Sequence, residues 1–92
     1  MIKSIRHKAL RNYWMKGQTK GLNANWVPRV SRMLRALDGA ISPEDMNFPG
    51  YYFHELSGQD AGRYSIRVTG NYRITFGWDD QDATDVNLED YH

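Results

Sequence analysis

Residues 63–78 restrict the fold more than any other stretch of the chain. Arg63 to Thr69 (RYSIRVT) alternates, with Tyr64, Ile66 and Val68 on one side and Arg63, Ser65 and Arg67 on the other. Tyr72 to Trp78 (YRITFGW) repeats the pattern, setting Tyr72, Ile74, Phe76 and Trp78 against Arg73 and Thr75. Gly70-Asn71 between them is a tight-turn dipeptide, so the two runs predict an antiparallel hairpin with one apolar and one arginine-rich face. The apolar face has to be covered, and the rest of the chain supplies the cover.

Leu10, Tyr13 and Trp14 stand at i, i+3, i+4 and predict a helix over 7–17, with Gly17 as its stop. Trp26, Val30, Met33, Leu34, Leu37 and Ile41 form the longest helical stripe; Asn23 or Asn25 can cap it, and Pro28 is tolerated in its first turn. Asp38-Gly39 weakens that helix, and 42–50 (SPEDMNFPG) reads as a loop. Tyr51 to Leu56 is expected as a short strand in which His54 shares parity with Tyr52 and Leu56, so one of these two must leave strand geometry. Residues 83–91 predict a last strand, with Val86 and Leu88 facing away from Asn87, Glu89 and Tyr91; Met1 to Ile5 allows a brief one. Stacking the stripes on the sheet gives one α+β domain over residues 1–92, with two N-terminal helices on one face of a small, mainly antiparallel β-sheet. The other face then carries Arg63, Arg67, Arg73, Asn87, Glu89 and Tyr91.

Composition closes off several function classes. The absence of cysteine excludes disulfides and thiolate metal sites and fits a reducing compartment. No apolar run approaches the ~18 residues of a membrane span, and the basic start lacks a secretory h-region, so a soluble cytoplasmic protein is expected. The three histidines, His7, His54 and His92, lack ligand spacing, and no phosphate-cradling glycine motif is present, so neither metal nor cofactor is expected. Ser57 lacks the strained elbow of a serine nucleophile. The net charge of +1 hides a polar split: residues 1–37 hold nine Lys or Arg and no acid, and residues 79–92 hold six acids and no Lys or Arg. Such asymmetry permits a basic surface for polyanions.

What remains is His54, the arginines of the open face, and the terminal Asp90-Tyr91-His92. Cleaving RNA by general acid–base chemistry needs one group to take the ribose 2′-OH proton, one to protonate the leaving 5′-oxygen, and fixed cations for the phosphorane charge. Histidine and arginine suit those tasks. Singly, each residue has a plainer reading: His54 as a half-buried strand histidine, the arginines as a solvated face, Tyr91 and His92 as a terminal tail, Arg29, Arg32 and Arg35 as the wet side of a helix, and His7 as surface structure.

The stretches SIRV (65–68), NYRITF (71–76) and EDYH (89–92), the His54-Glu55-Leu56-Ser57-Gly58 turn and the opening MIKSIRHK together resemble the HigB toxins of the RelE superfamily. The resemblance covers nearly the whole chain and implies a RelE-like fold. It also implies the toxin half of a type II toxin–antitoxin pair, a ribosome-dependent endonuclease cutting mRNA codons in the A site. On the matching positions it assigns catalysis to His54, Arg73, Asp90, Tyr91 and His92. His54 and His92 would transfer protons, Arg73 would stabilise phosphate charge, Asp90 would orient a histidine or bind the 2′-OH, and Tyr91 would position or stack on a base. Arg63 and Arg67 would position the RNA. Several members carry Lys or Arg where this chain has Ser57. The implied partners are a helix-turn-helix antitoxin (HigA-like), the ribosome with its mRNA, and operator DNA through the antitoxin complex alone; no membrane is involved. The competing expectations are a non-catalytic RNA-binding module and a protein-interaction domain.

Overall fold

Polar punctuation sets where the first helix starts and stops. His7 accepts a hydrogen bond at Nδ1 from the Leu10 amide (3.2 Å), capping α1 (Lys8–Lys16), and Gly17 ends it in the left-handed conformation at φ 72°. The structure, a computed structural model, describes residues 1–90. A 3₁₀ turn over Ala24–Trp26, capped by the Asn23 side chain, leads into α2 (Val27–Gly39), with Pro28 in its first turn. α2 buries Val30, Met33, Leu34 and Leu37 and α1 buries Leu10, as the two stripes predict.

The ends of the longer stripe fall outside the helix. Trp26 packs on the sheet instead, its ring 4.4 Å from that of Tyr72. Ile41 is 68% exposed, because Ala40 turns extended and the Asp45 carboxylate accepts from the Ile41 and Ser42 amides, tying the chain into a separate turn. The 42–50 loop contains its own 3₁₀ turn, Pro43–Met46, through which Met46 reaches the core.

Four antiparallel strands follow in the order β1 (His54–Glu55), β2 (Arg63–Thr69), β3 (Tyr72–Asp79), β4 (Asp82–Asp90). Gly70-Asn71 is the two-residue turn between the paired Thr69 and Tyr72. Met1 to Arg6 adds a parallel edge beside β4, with Ile2 opposite Ala83 and Ile5 opposite Val86. The fold is therefore α+β with a mainly antiparallel sheet, as expected. The strand predicted over 51–56 shrinks to His54–Glu55; of the two residues at issue Tyr52 takes the left-handed φ of 50°, while the Leu56 amide still donates to the Arg63 carbonyl at 2.9 Å.

Between helices and sheet lies one core that joins Ile5, Leu10, Val30, Met33, Leu34 and Leu37 to Ile66, Val68, Ile74, Phe76, Ala83 and Val86. A bulge at Asp85 (φ 47°) lets Ala83 and Val86, three residues apart, both face that core. Along its edge, Phe53 stacks on Tyr64 (5.8 Å) and Tyr64 on Phe76 (5.6 Å). With Phe53 drawn inward, alternation turns the next residue, His54, outward.

Candidate functional site

Strand register arranges the open face in rows. His54 is opposite Ser65, Ser65 opposite Thr75, and Thr75 opposite Asn87, which gives one row across all four strands. The neighbouring row is Arg67, Arg73 and Glu89, and beyond the first row on the other side stand Arg63, Gly77 and Thr84. The arginine-rich face predicted from alternation therefore exists. It is not uniformly wet, because Ser65 and Thr75 on it are 1% and 0% exposed.

A depression of about 440 Å³ opens on this face, lined by Tyr52, Phe53, His54, Leu56, Ser65 and Arg73. Leu56 is buried there, apart from the helix-side core, and gives the depression an apolar floor beside Ser65. The His54 side chain is exposed at its edge. Arg73 donates from Nη1 to Ser65 Oγ at 3.4 Å, so two of the residues expected to act together, His54 and Arg73, share one cavity. An imidazole that can move protons and a guanidinium that can hold a phosphate oxyanion stand on either side of one small hydroxyl.

Asp90 is the last described residue and pairs with Tyr72 at the end of β4. Alternation sets it on the side opposite Glu89, at the strand terminus rather than within the rows. Tyr91 and His92, expected to complete the site, lie outside the described residues.

The two arginines expected to contact RNA differ from one another. Arg63 Nη2 donates to Thr75 Oγ1 (3.1 Å) and to the Asp85 carbonyl (2.8 Å), and Thr75 Oγ1 in turn donates to the Glu89 carboxylate. Burial, then the nearby Arg6 charge, lowers the Arg63 pKa from its ordinary value, while Glu89, Asp85 and Asp60 oppose the shift. Arg63 is thus built into the face. The Arg67 guanidinium lies 4.8 Å from the centroid of the Tyr52 ring, and its buried Nε finds no hydrogen-bond partner among the described residues.

Periodicity placed Arg29 on the wet side of α2, and the structure corrects this. Arg29 Nη2 donates to the carbonyls of Gly50 (2.7 Å) and Arg67 (2.9 Å), Nε also reaches Arg67 O, and the guanidinium covers the Tyr51 ring at 5.2 Å. Arg32 and Arg35 are exposed, as expected. His7, assigned to surface structure, is the α1 cap. Sequence reasoning passed over Ser65 and Thr75 as polar residues on a solvated face; their central place in a predicted meander was the available signal. Among the described residues no group of three His, Asp or Glu side chains is placed to hold a metal ion, and no helix is long and apolar enough to cross a membrane.

Comparison with known proteins adds ancestry to this geometry. The family model for the HigB-like RelE-like toxin of type II toxin–antitoxin systems matches residues 3–92. A protein named Endoribonuclease HigB from Proteus vulgaris is 42% identical over 92 residues, spanning 100% of both chains. Toxin HigB-1 of Vibrio cholerae serotype O1 is 39% identical over 59 residues, 63% of this chain and 62% of its own.

Proposed function

The chain belongs to the HigB-like family of RelE-like toxins from type II toxin–antitoxin systems, and on that premise we propose that it is an endoribonuclease that cuts mRNA in the ribosomal A site by metal-independent general acid–base chemistry. Membership implies an antitoxin partner. We assign that role to a helix-turn-helix protein of the HigA type, through which operator DNA is bound, and we place the toxin in the cytoplasm.

The observation that carries the reading is the shared depression of His54, Ser65 and Arg73 on the face turned away from the helices. In the reaction, the attacking ribose 2′-OH gives its proton to one histidine as its oxygen bonds to phosphorus. The P–O5′ bond then breaks, and the 5′-oxygen takes a proton from the other histidine. His54 and His92 fill these two parts. Arg73 stabilises the charge on the non-bridging oxygens; removal of one such donor costs about 10²–10³ in rate. Asp90 orients a histidine or holds the 2′-OH, Tyr91 positions a base, and Arg67 meets the RNA backbone. Arg63, engaged with Thr75 and Asp85, serves through the shape of the face.

Induced expression of wild type, His54→Ala, Arg73→Ala and His92→Ala, with primer extension on a reporter mRNA, tests this function. Wild type should arrest growth and leave in-frame cuts, and each variant should lose both. Cuts that persist in the His54 and His92 variants would remove the acid–base assignment. Arrest without any cuts would remove the nuclease.

A further inference from the structure

The loop before β1 holds a tyrosine that the core does not use. Tyr52 is 62% exposed, whereas its neighbours are committed: Tyr51 to the Phe48 ring (5.3 Å) and the Arg29 guanidinium, Phe53 to Tyr64. Tyr52 also adopts φ 50°, a left-handed conformation that residues bearing a side chain seldom take and that tends to accompany function. Attachments on both sides impose it. Arg29 grips the Gly50 carbonyl, the Arg67 amide donates to the Tyr51 carbonyl at 2.7 Å, and His54 is paired to Ser65.

The result is specific in its geometry. The Tyr52 ring is set at the rim of the depression that contains His54 and Arg73, with one face against the Arg67 guanidinium at 4.8 Å. Among the described residues Arg67 makes no ion pair and its buried Nε has no acceptor, which leaves the Tyr52 ring as the neighbour its guanidinium lies against. An exposed aromatic surface backed by a cation offers little to stability. It is well suited to an unpaired nucleobase, a flat π system whose attached phosphate would lie near the guanidinium.

We propose that Tyr52, backed by Arg67, is a stacking subsite for one unpaired RNA base next to the phosphate held between His54 and Arg73. The proposal rests on the ribonuclease reading and deepens it: this subsite helps decide which nucleotide flanks the cut.

The test uses ribosomes programmed with a defined mRNA. 2-Aminopurine replaces one base at a time around the cut, and a 2′-deoxy sugar there blocks cleavage. Stacking quenches 2-aminopurine, so it is read independently of chemistry. Wild type and Tyr52→Phe should quench the probe at one position. Tyr52→Leu, which removes the flat ring, and Tyr52→Gly, which also relieves the backbone, should lose the quench. On cleavable mRNA those two should raise KM by roughly 5- to 150-fold with kcat little changed. If wild type cuts but quenches nowhere, or if the Leu and Gly variants keep the quench and KM, the subsite is wrong and the nuclease stands. If wild type neither cuts nor binds, the ribonuclease reading falls and the subsite with it.

Discussion

His54 stands directly opposite Ser65 across β1 and β2, and Ser65 Oγ accepts from Arg73 Nη1. One hydroxyl thus sits between the imidazole and the guanidinium to which the two halves of the chemistry are assigned. Ser65 is 1% exposed, and the bond from Arg73 ties the guanidinium to this buried hydroxyl, which suits Ser65 to position it.

Ser65→Ala should therefore lower kcat by about 2- to 10-fold, as expected for losing one long hydrogen bond, with the fold and KM nearly intact. Ser65→Thr, which keeps the hydroxyl, should restore part of the loss. Single-turnover cleavage on programmed ribosomes measures this. An alanine variant with wild-type kcat would show that Arg73 is oriented without Ser65.

Thr75 connects Arg63 to Glu89 from a fully buried place on β3. Thr75→Val keeps the shape but removes the hydroxyl, leaving the Glu89 carboxylate without its donor and Arg63 Nη2 with the Asp85 carbonyl as its remaining acceptor. The expected cost is about 1–3 kcal/mol. At about 4–8 °C in Tm per kcal/mol for a domain of this size, thermal unfolding will resolve it. Adding Glu89→Gln to Thr75→Val should cost less than the two separate losses combined, because the groups form one network. Full additivity would mean that they are independent.

The hairpin, both helices and the side of the sheet that carries the arginines were legible because each follows from a period of 2 or 3.6 residues. His54 and Arg73 could be placed on one face by parity and by family likeness. Three features were not legible. The positive φ of Tyr52 occurs in a loop tied down by Arg29, twenty-three residues upstream, and by the pairing of Tyr51 and His54 with β2. The bulge at Asp85 is a local slip that alternation cannot announce. The burial of Thr75 and Ser65 arises only once long side chains from adjacent strands fold over them. For Tyr52, and for Thr75 and Ser65, what local pattern leaves out is a contact made by a residue from another element or strand.

Arg29 links α2 to the Gly50 carbonyl and to Arg67 on β2. Its planar fork serves two carbonyls at once, which an ammonium cannot do with the same geometry. Arg29→Ala should lower stability by about 1.5–3 kcal/mol and raise amide exchange at Tyr51 and Arg67, with Arg29→Lys in between. Unchanged exchange at Arg67 would show that the loop is held by its own turns.

The α1 cap makes stability depend on pH. His7 must offer Nδ1 unprotonated to the Leu10 amide, and partial burial lowers its pKa from the ordinary 6.5. With the folded pKa below the unfolded one, the unfolded chain binds more protons in the interval between them. The stability from this group is therefore complete above about pH 6.5 and is lost as pH falls through that value toward the folded pKa. Protonation also converts Nδ1 from acceptor to donor and removes the cap, so its cost includes a hydrogen bond as well as desolvation. His7→Asn supplies a cap that does not titrate there. Denaturant unfolding at pH 7.5 and 5.5 should show wild type losing more stability than His7→Asn over that step. Equal losses in the two proteins would assign the acid sensitivity to other groups.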